Sequence, residues 1–177
     1  MNTYIILLRG VTPTGKNKVL MMPLRTALEQ AGLQDVRTYI QSGNIIAGTR
    51  LSQFELERLV HDVIAKQFGG DIVVVARTVR QFRNILNRNP FEQADPAKLF
   101  FTVLASKPDK HVVKEFLAPG YSPDEVRVIG DTVYLLVADQ YSYVKANNNY
   151  IERKLRVSAT TRVYRTMAKL LELSREK

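Results

Sequence analysis

An apolar run, a helical stripe, two short apolar runs and a second helical stripe follow one another twice along this chain. In the first passage Tyr4 to Leu8 is short and wholly apolar, as a buried strand is. Leu20, Met21, Leu24, Leu28 and Ala31 then recur at helical spacing, with Pro23 suited to a first turn and Gly32 to an end. Val36 to Ile40 and Ile45 to Ala47 read as strands flanking Gln41-Ser-Gly-Asn44, a cluster of turn formers. Ser52 and Glu55 make a capping box for a helix whose stripe is Leu56, Leu59, Val60, Val63, Ile64 and Phe68, stopped by Gly69-Gly70. The β-branched Ile72 to Ala76 closes the passage as a strand.

The second passage opens with a strand over Leu99 to Ala105 and a helix marked by Val112, Val113, Phe116 and Leu117, closed by Pro119-Gly120. Val126 to Ile129 and Thr132 to Val137 form a hairpin about Gly130-Asp131. Two helices end the chain, one on Tyr150, Ile151 and Leu155, the other on Tyr164, Met167, Ala168, Leu170 and Leu171. Between the passages Thr78 and Gln81 cap a shorter helix with Phe82, Ile85 and Leu86 inward and Arg80, Arg83 and Arg88 opposite. Asn89-Pro90 ends that helix, and a linker runs to Pro96.

This order predicts an α+β fold of two tandem ferredoxin-like halves, each β-α-β-β-α, with antiparallel sheets and helices packed on one face. The expected division is residues 1–77 for the first half, 78–97 for the arginine-rich helix and linker, and 98–177 for the second half with its C-terminal helices. With 177 residues, 45% of them hydrophobic, the chain can fill one ordinary core or two small ones. From Tyr4 to Gly43 is 39 residues, whereas Leu99 to Gly130 is 31. The surplus matches the length of the Gly10–Lys18 loop, which therefore reads as an insertion in the first half. A connection longer than its strand and helix need is more often functional than structural.

That loop, Arg9-Gly-Val-Thr-Pro-Thr-Gly-Lys-Asn-Lys18, holds three cations and two glycines. Glycines let backbone N–H groups approach an anion, and lysines add charge. Gly10-x-x-x-x-Gly15-Lys16 has the spacing of a phosphate-cradling loop, but Asn17 stands where Ser or Thr would hold Mg²⁺, and Pro23 puts the helix start too late. Nucleotide hydrolysis is therefore disfavoured, and the plain alternative is a solvated surface loop. Gln41, Ser42 and Asn44 gather hydrogen-bonding groups at a hairpin end, although Ser42, Gly43 and Asn44 are also turn residues in their own right. Thr160-Thr161-Arg162 reads as a helix N-terminus, where two hydroxyls and a guanidinium either meet a phosphate or simply cap the helix.

In order and spacing, Leu8-Arg-Gly10, Gly15-Lys-Asn-Lys-Val19, Arg37-Thr-Tyr-Ile-Gln-Ser-Gly-Asn44, Asn89-Pro-Phe91 and Ala159-Thr-Thr-Arg162 resemble the bacterial uncharacterised domain-of-unknown-function family 1697. The resemblance runs from Tyr4 to about Leu171 and implies a duplicated ferredoxin-like α+β fold, with no activity to carry over. It maps the family's motif onto Arg9, Gly10, Lys16, Asn17, Lys18, Gln41, Ser42, Gly43, Asn44, Thr160, Thr161 and Arg162. Two places depart from it: Val163-Tyr164 stands for the family's Asn-Trp, and Thr12-Pro13-Thr14 for a segment tending to Asn and Gly.

A formal charge of +9 points to an anionic partner, nucleic acid or a phosphorylated small molecule. Lys16, Lys18 and Arg9, with Arg162 as a further cation, would meet phosphates, while Gln41 and Asn44 read polar edges. An enzyme acting on a phosphorylated or nucleotide-like substrate and a protein-interaction module with an open sheet face are the alternatives, and the latter leaves self-association open. The absence of cysteine rules out thiol catalysis and Cys-based zinc sites and fits the cytoplasm. His61 and His111 lack partners at metal-ligand spacing, so no metal, cofactor or general base is expected. No apolar run approaches a membrane span.

Overall fold

Burial on both faces sets the centre of the first sheet. The computed structural model describes residues 1–175. In it β1 (Asn2–Leu8) lies between β3 (Asn44–Thr49) and β4 (Val74–Thr78), with β2 (Gln34–Thr38) outside β3, giving the antiparallel order β2-β3-β1-β4. Side chains alternate across the pleat. Tyr4, Ile6 and Leu8 join Ile45, Ala47, Val74 and Ala76 in a core with Leu24 and Leu28 of α1 (Met21–Gln30) and Leu56, Val60 and Ile64 of α2 (Gln53–Phe68). Ile5, Leu7, Ile46 and Val75 alternate with them and are buried too, at 0–1% exposure.

Local chemistry fixes the helix ends. Ser52 and Glu55 form the reciprocal capping box of α2, and Gly69 ends it in the left-handed region at φ 71°. α1 starts without a side-chain cap; Pro23 is its third residue, where no intrahelical N–H bond is forfeited. It closes through Leu33 N–H to Leu28 C=O and Gly32 N–H to Glu29 C=O, with Gly32 at φ 96°, and Leu28 and Leu33 share the core. α3 (Val79–Asn87) carries the Thr78–Gln81 capping box, buries Phe82 and Ile85, and exposes Arg80 and Arg83. Arg77, next to them in sequence, is buried in β4, donates to the Ala76 carbonyl at 2.7 Å and lies 4.0 Å from Glu57.

Backbone contacts divide the chain into two units, Met1–Asn84 with the residues from Lys169 onward, and Ile85–Ala168. Within the first unit, the Arg37 guanidinium on β2 donates to the Leu173 carbonyl at 2.6 Å. The second unit contains β5 (Leu99–Leu104), α4 (Lys110–Leu117), β6 (Glu125–Ile129), β7 (Thr132–Leu136), α5 (Asn148–Leu155) and β8 (Ala159–Val163), and α6 (Tyr164–Leu173) follows. Its sheet order is β6-β7-β5-β8, the counterpart of the first. Val112, Phe116, Ile151 and Leu155 pack on Leu104, Val126, Val133, Leu135 and Ala159. Phe101, Val103 and Tyr134 alternate with these and are fully buried.

One expected element changes identity. Thr160-Thr161-Arg162 opens no helix: it is the middle of β8, paired antiparallel with β5 from Phe100–Val163 to Leu104–Ala159, and the helix begins only at Tyr164. β-Branched Thr, Thr and Val favour the pleated strand that this pairing provides. The strand completes β-α-β-β-α-β in the second unit, as β4 does in the first.

Candidate functional site

Where β1 ends, its backbone is held on both sides: Leu8 N–H donates to the Gly43 carbonyl at 2.8 Å and Arg9 N–H to Val73 at 3.0 Å. Gly10, at φ 67°, then turns the chain out of the sheet. The excursion closes on itself through Thr12 N–H to Asn17 (3.1 Å), Lys18 N–H to Gly15 (3.3 Å) and Val19 N–H to Thr12 (3.2 Å). Val11 and Val19 are buried at its base, while residues 12–16 and Lys18 are exposed, with Lys16 and Lys18 near its tip. The result is a finger bearing two solvated ammonium groups. α1 begins at Met21, so no helix N-terminus follows the lysine as in a phosphate-binding NTPase loop.

The Gln41–Asn44 turn meets this finger at its root. Gln41 Nε2 donates to the Val19 carbonyl at 2.7 Å, fixing the point where the finger rejoins the fold. Gly43 (φ 77°) packs against Leu8 so tightly that a Cβ there would lie 2.7 Å from the Leu8 Cβ. Asn44 is fully buried, and its amide donates to Tyr39 C=O at 3.0 Å and Ser42 Oγ at 2.9 Å. Both amide hydrogens of Asn44 and one of Gln41 are thus committed to the chain itself, and the two residues shape the root of the finger. Ile40, just before them, adopts φ 50° although β-branched, and is 52% exposed, a strained and unsheltered position.

Arginines of α3 leave the sheet elsewhere. Thr78, which precedes α3, pairs with Tyr4, at the other end of β1 from Leu8 and the finger. In the second unit Thr160 is buried, and Arg162 Nη1 donates to Thr160 Oγ1 (2.7 Å) and Thr161 C=O (2.8 Å). Burial pulls the Arg162 guanidinium down to about 10, still cationic at neutral pH. Thr161 Oγ1 donates to Asn148 Oδ1 of α5 at 2.8 Å and lies 2.7 Å from Thr102 Oγ1, with the hydroxyl of Thr102 as the donor. These residues stitch β5, β8 and α5 together; the proposed helix-end anion site is not formed, because the helix starts beyond them.

Two groupings escaped the sequence reading. His61 has carboxylate neighbours on both ring nitrogens, Asp71 at 2.9 Å from Nε2 and Asp62 at 3.2 Å from Nδ1. The hydrogen bond to Asp71, then that to Asp62, raises its pKa above the ordinary value. Asp71 lies in the loop after α2, ten residues on, which a search at metal-ligand spacing does not reach. Among the described residues no group of His, Cys, Asp and Glu is arranged to hold a metal ion. The second grouping surrounds Tyr150, whose ring has Lys145, Arg153 and Lys154 within 6 Å.

Two α+β units with matching sheet order and a cationic finger springing from the first strand define the class of protein. The chain belongs to the family described as protein of unknown function (DUF1697), whose model matches residues 1–134. That match ends before Thr160–Arg162, so the family assignment rests on the earlier motifs. A solved structure of a conserved bacterial protein from Streptococcus pneumoniae is similar in fold, with a TM-score of 0.78 at 21% identity, covering 98% of this chain and 99% of that one. No curated protein sequence matches the chain. Among the described residues no helix is long and apolar enough to cross a membrane.

Proposed function

We propose that this protein binds phosphate-bearing ligands at the Gly10–Lys18 finger, with nucleic acid as the main class. One observation carries the reading: a finger closed by three backbone hydrogen bonds and fastened by Gln41 holds Lys16 and Lys18 out in solvent. Residues 1–28 contain four cations, Arg9, Lys16, Lys18 and Arg25, and no acid. A pre-closed finger loses little conformational entropy on binding, so its charges act at small ordering cost. The exposed geometry suits a polyanion running past the tip better than a small substrate enclosed from water. A cytoplasmic setting fits a cysteine-free basic chain, and the matched order of elements in the two units supports an origin by duplication.

The test is fluorescence anisotropy with a labelled DNA duplex across a salt series. Two lysine–phosphate contacts predict roughly 12-fold weaker binding from about 50 to 200 mM salt, and Lys16→Ala/Lys18→Ala should lower the log–log salt slope by about 1.8. An unchanged slope in that variant refutes the reading. Thermal-shift screening with nucleotides and sugar phosphates separates the enzyme alternative, which requires a small-molecule hit with turnover.

A further inference from the structure

Tyr150, on α5 of the second unit, packs against Phe116 and meets Tyr121 edge to face, with ring centroids 6.2 and 6.3 Å away. Around this pair three cations converge. Lys145 Nζ lies 5.9 Å from both the Tyr121 and the Tyr150 centroid, Arg153 Cζ lies 5.3 Å from Tyr150, and Lys154 Nζ lies 5.8 Å from it. No two of these charges are therefore more than about 12 Å apart, at most about one and a half times the screening length of about 8 Å at physiological salt. Arg153 and Lys154 alone would be explained by the last turn of α5, where cations suit the helix dipole. Lys145 is not: it comes from the segment ahead of the helix.

The surrounding sequence adds little compensating charge. Residues 140–168 carry six Lys and Arg and one acid, Glu152, which accepts a hydrogen bond from Ala159 N–H at 2.9 Å. Two residues before Lys145, the ring of Tyr143 is 74% exposed. An uncovered aromatic ring joined through one intervening residue to one of the converging cations offers the combination that single strands use, with bases stacked on rings and phosphates held by charges.

We infer that the second unit carries a separate binding site for single-stranded nucleic acid, in which Lys145, Arg153 and Lys154 hold backbone phosphates and Tyr143 stacks a base. It shares no residue with the Gly10–Lys18 finger and stands whether or not the finger binds anything. All four of these side chains are exposed, so substitutions there test binding without disturbing the core. The experiment measures anisotropy of a labelled single-stranded oligonucleotide, and of the duplex of the same sequence, on the full chain. Lys145→Gln/Arg153→Gln/Lys154→Gln should reduce the salt slope for the single strand by about 2. Tyr143→Ala should weaken single-strand binding roughly 5- to 100-fold, and Tyr143→Phe should restore it. Lys16→Ala/Lys18→Ala should leave the single-strand effect of Tyr143→Ala in place, so failure of the finger reading is told apart from failure of this one. An unchanged slope in the triple variant, a Tyr143→Ala protein binding single strands like the parent, or stronger binding of a phosphopeptide of equal charge would overturn the inference.

Discussion

Gly43→Ala should be among the most damaging one-carbon changes available in this protein. The residue sits at φ 77°, where an L side chain costs about 1–2 kcal/mol. The added methyl would also lie 2.7 Å from the Leu8 Cβ and 3.4 Å from the Leu8 carbonyl oxygen. Leu8 is a fully buried residue of the central strand, bonded to Gly43 itself and paired with Val74, so it has little room to yield. Forcing an extra carbon into such packing costs about 1–3 kcal/mol. The sum, about 2–5 kcal/mol, corresponds to a fall in Tm of several degrees to more than ten for a chain of this size. Gly69→Ala is the control, because Gly69 has nearly the same φ, 71°, and nothing within 4 Å of the new carbon. Its cost is backbone strain alone, reduced by the stiffer unfolded chain. The difference between the two variants in urea or thermal denaturation therefore isolates the Leu8 overlap. Truncating Leu8 to Ala in the Gly43→Ala background should not relieve it, since the offending atom is the Cβ. Equal stability of Gly43→Ala and Gly69→Ala would refute the packing argument.

Asn44→Asp should cost about 2–4 kcal/mol by placing a carboxylate against the Tyr39 carbonyl in a fully buried position, and the deficit should shrink on acidification as the carboxyl protonates; urea titrations at two pH values measure both. His61 has a folded-state pKa above its unfolded value, so its pairing with Asp71 stabilises fully below pH about 6.5 and the benefit is lost as pH rises through the folded pKa. For exposed partners this is worth less than about 1 kcal/mol, and His61→Gln should flatten that part of the stability–pH profile. Thr161→Val should cost about 1–3 kcal/mol, because Asn148 loses the hydroxyl that donates to it and Thr102 loses its acceptor; denaturant unfolding reads the loss.

Helix limits were legible because their causes are local. Ser52 with Glu55, Thr78 with Gln81, and Gly32 or Gly69 act within one turn, so sequence neighbours suffice to place them. β8 was not legible: Thr160 to Val163 becomes a strand by pairing with Phe100 to Val103, about sixty residues earlier, whereas its threonines by themselves suit a cap equally well. The site shows the same divide. That the Gly10–Lys18 segment is an exposed loop was legible from its glycines and lysines. That Gln41 fastens the loop was not, since the Val19 carbonyl that binds it is 22 residues away. Arg77, three residues before Arg80, is buried in β4, because strand alternation turned it inward two residues before the chain became helical.

The bond from Arg37 to the Leu173 carbonyl sets an order of events during synthesis. The two residues are separated by 136 positions, and the first unit draws on the chain again from Lys169. At about 5–20 residues per second, a ribosome takes roughly 7–27 s to travel that distance. Throughout that interval the nascent first sheet waits with its outer arginine unlatched, and β2 gains this contact only after Leu173 has been made.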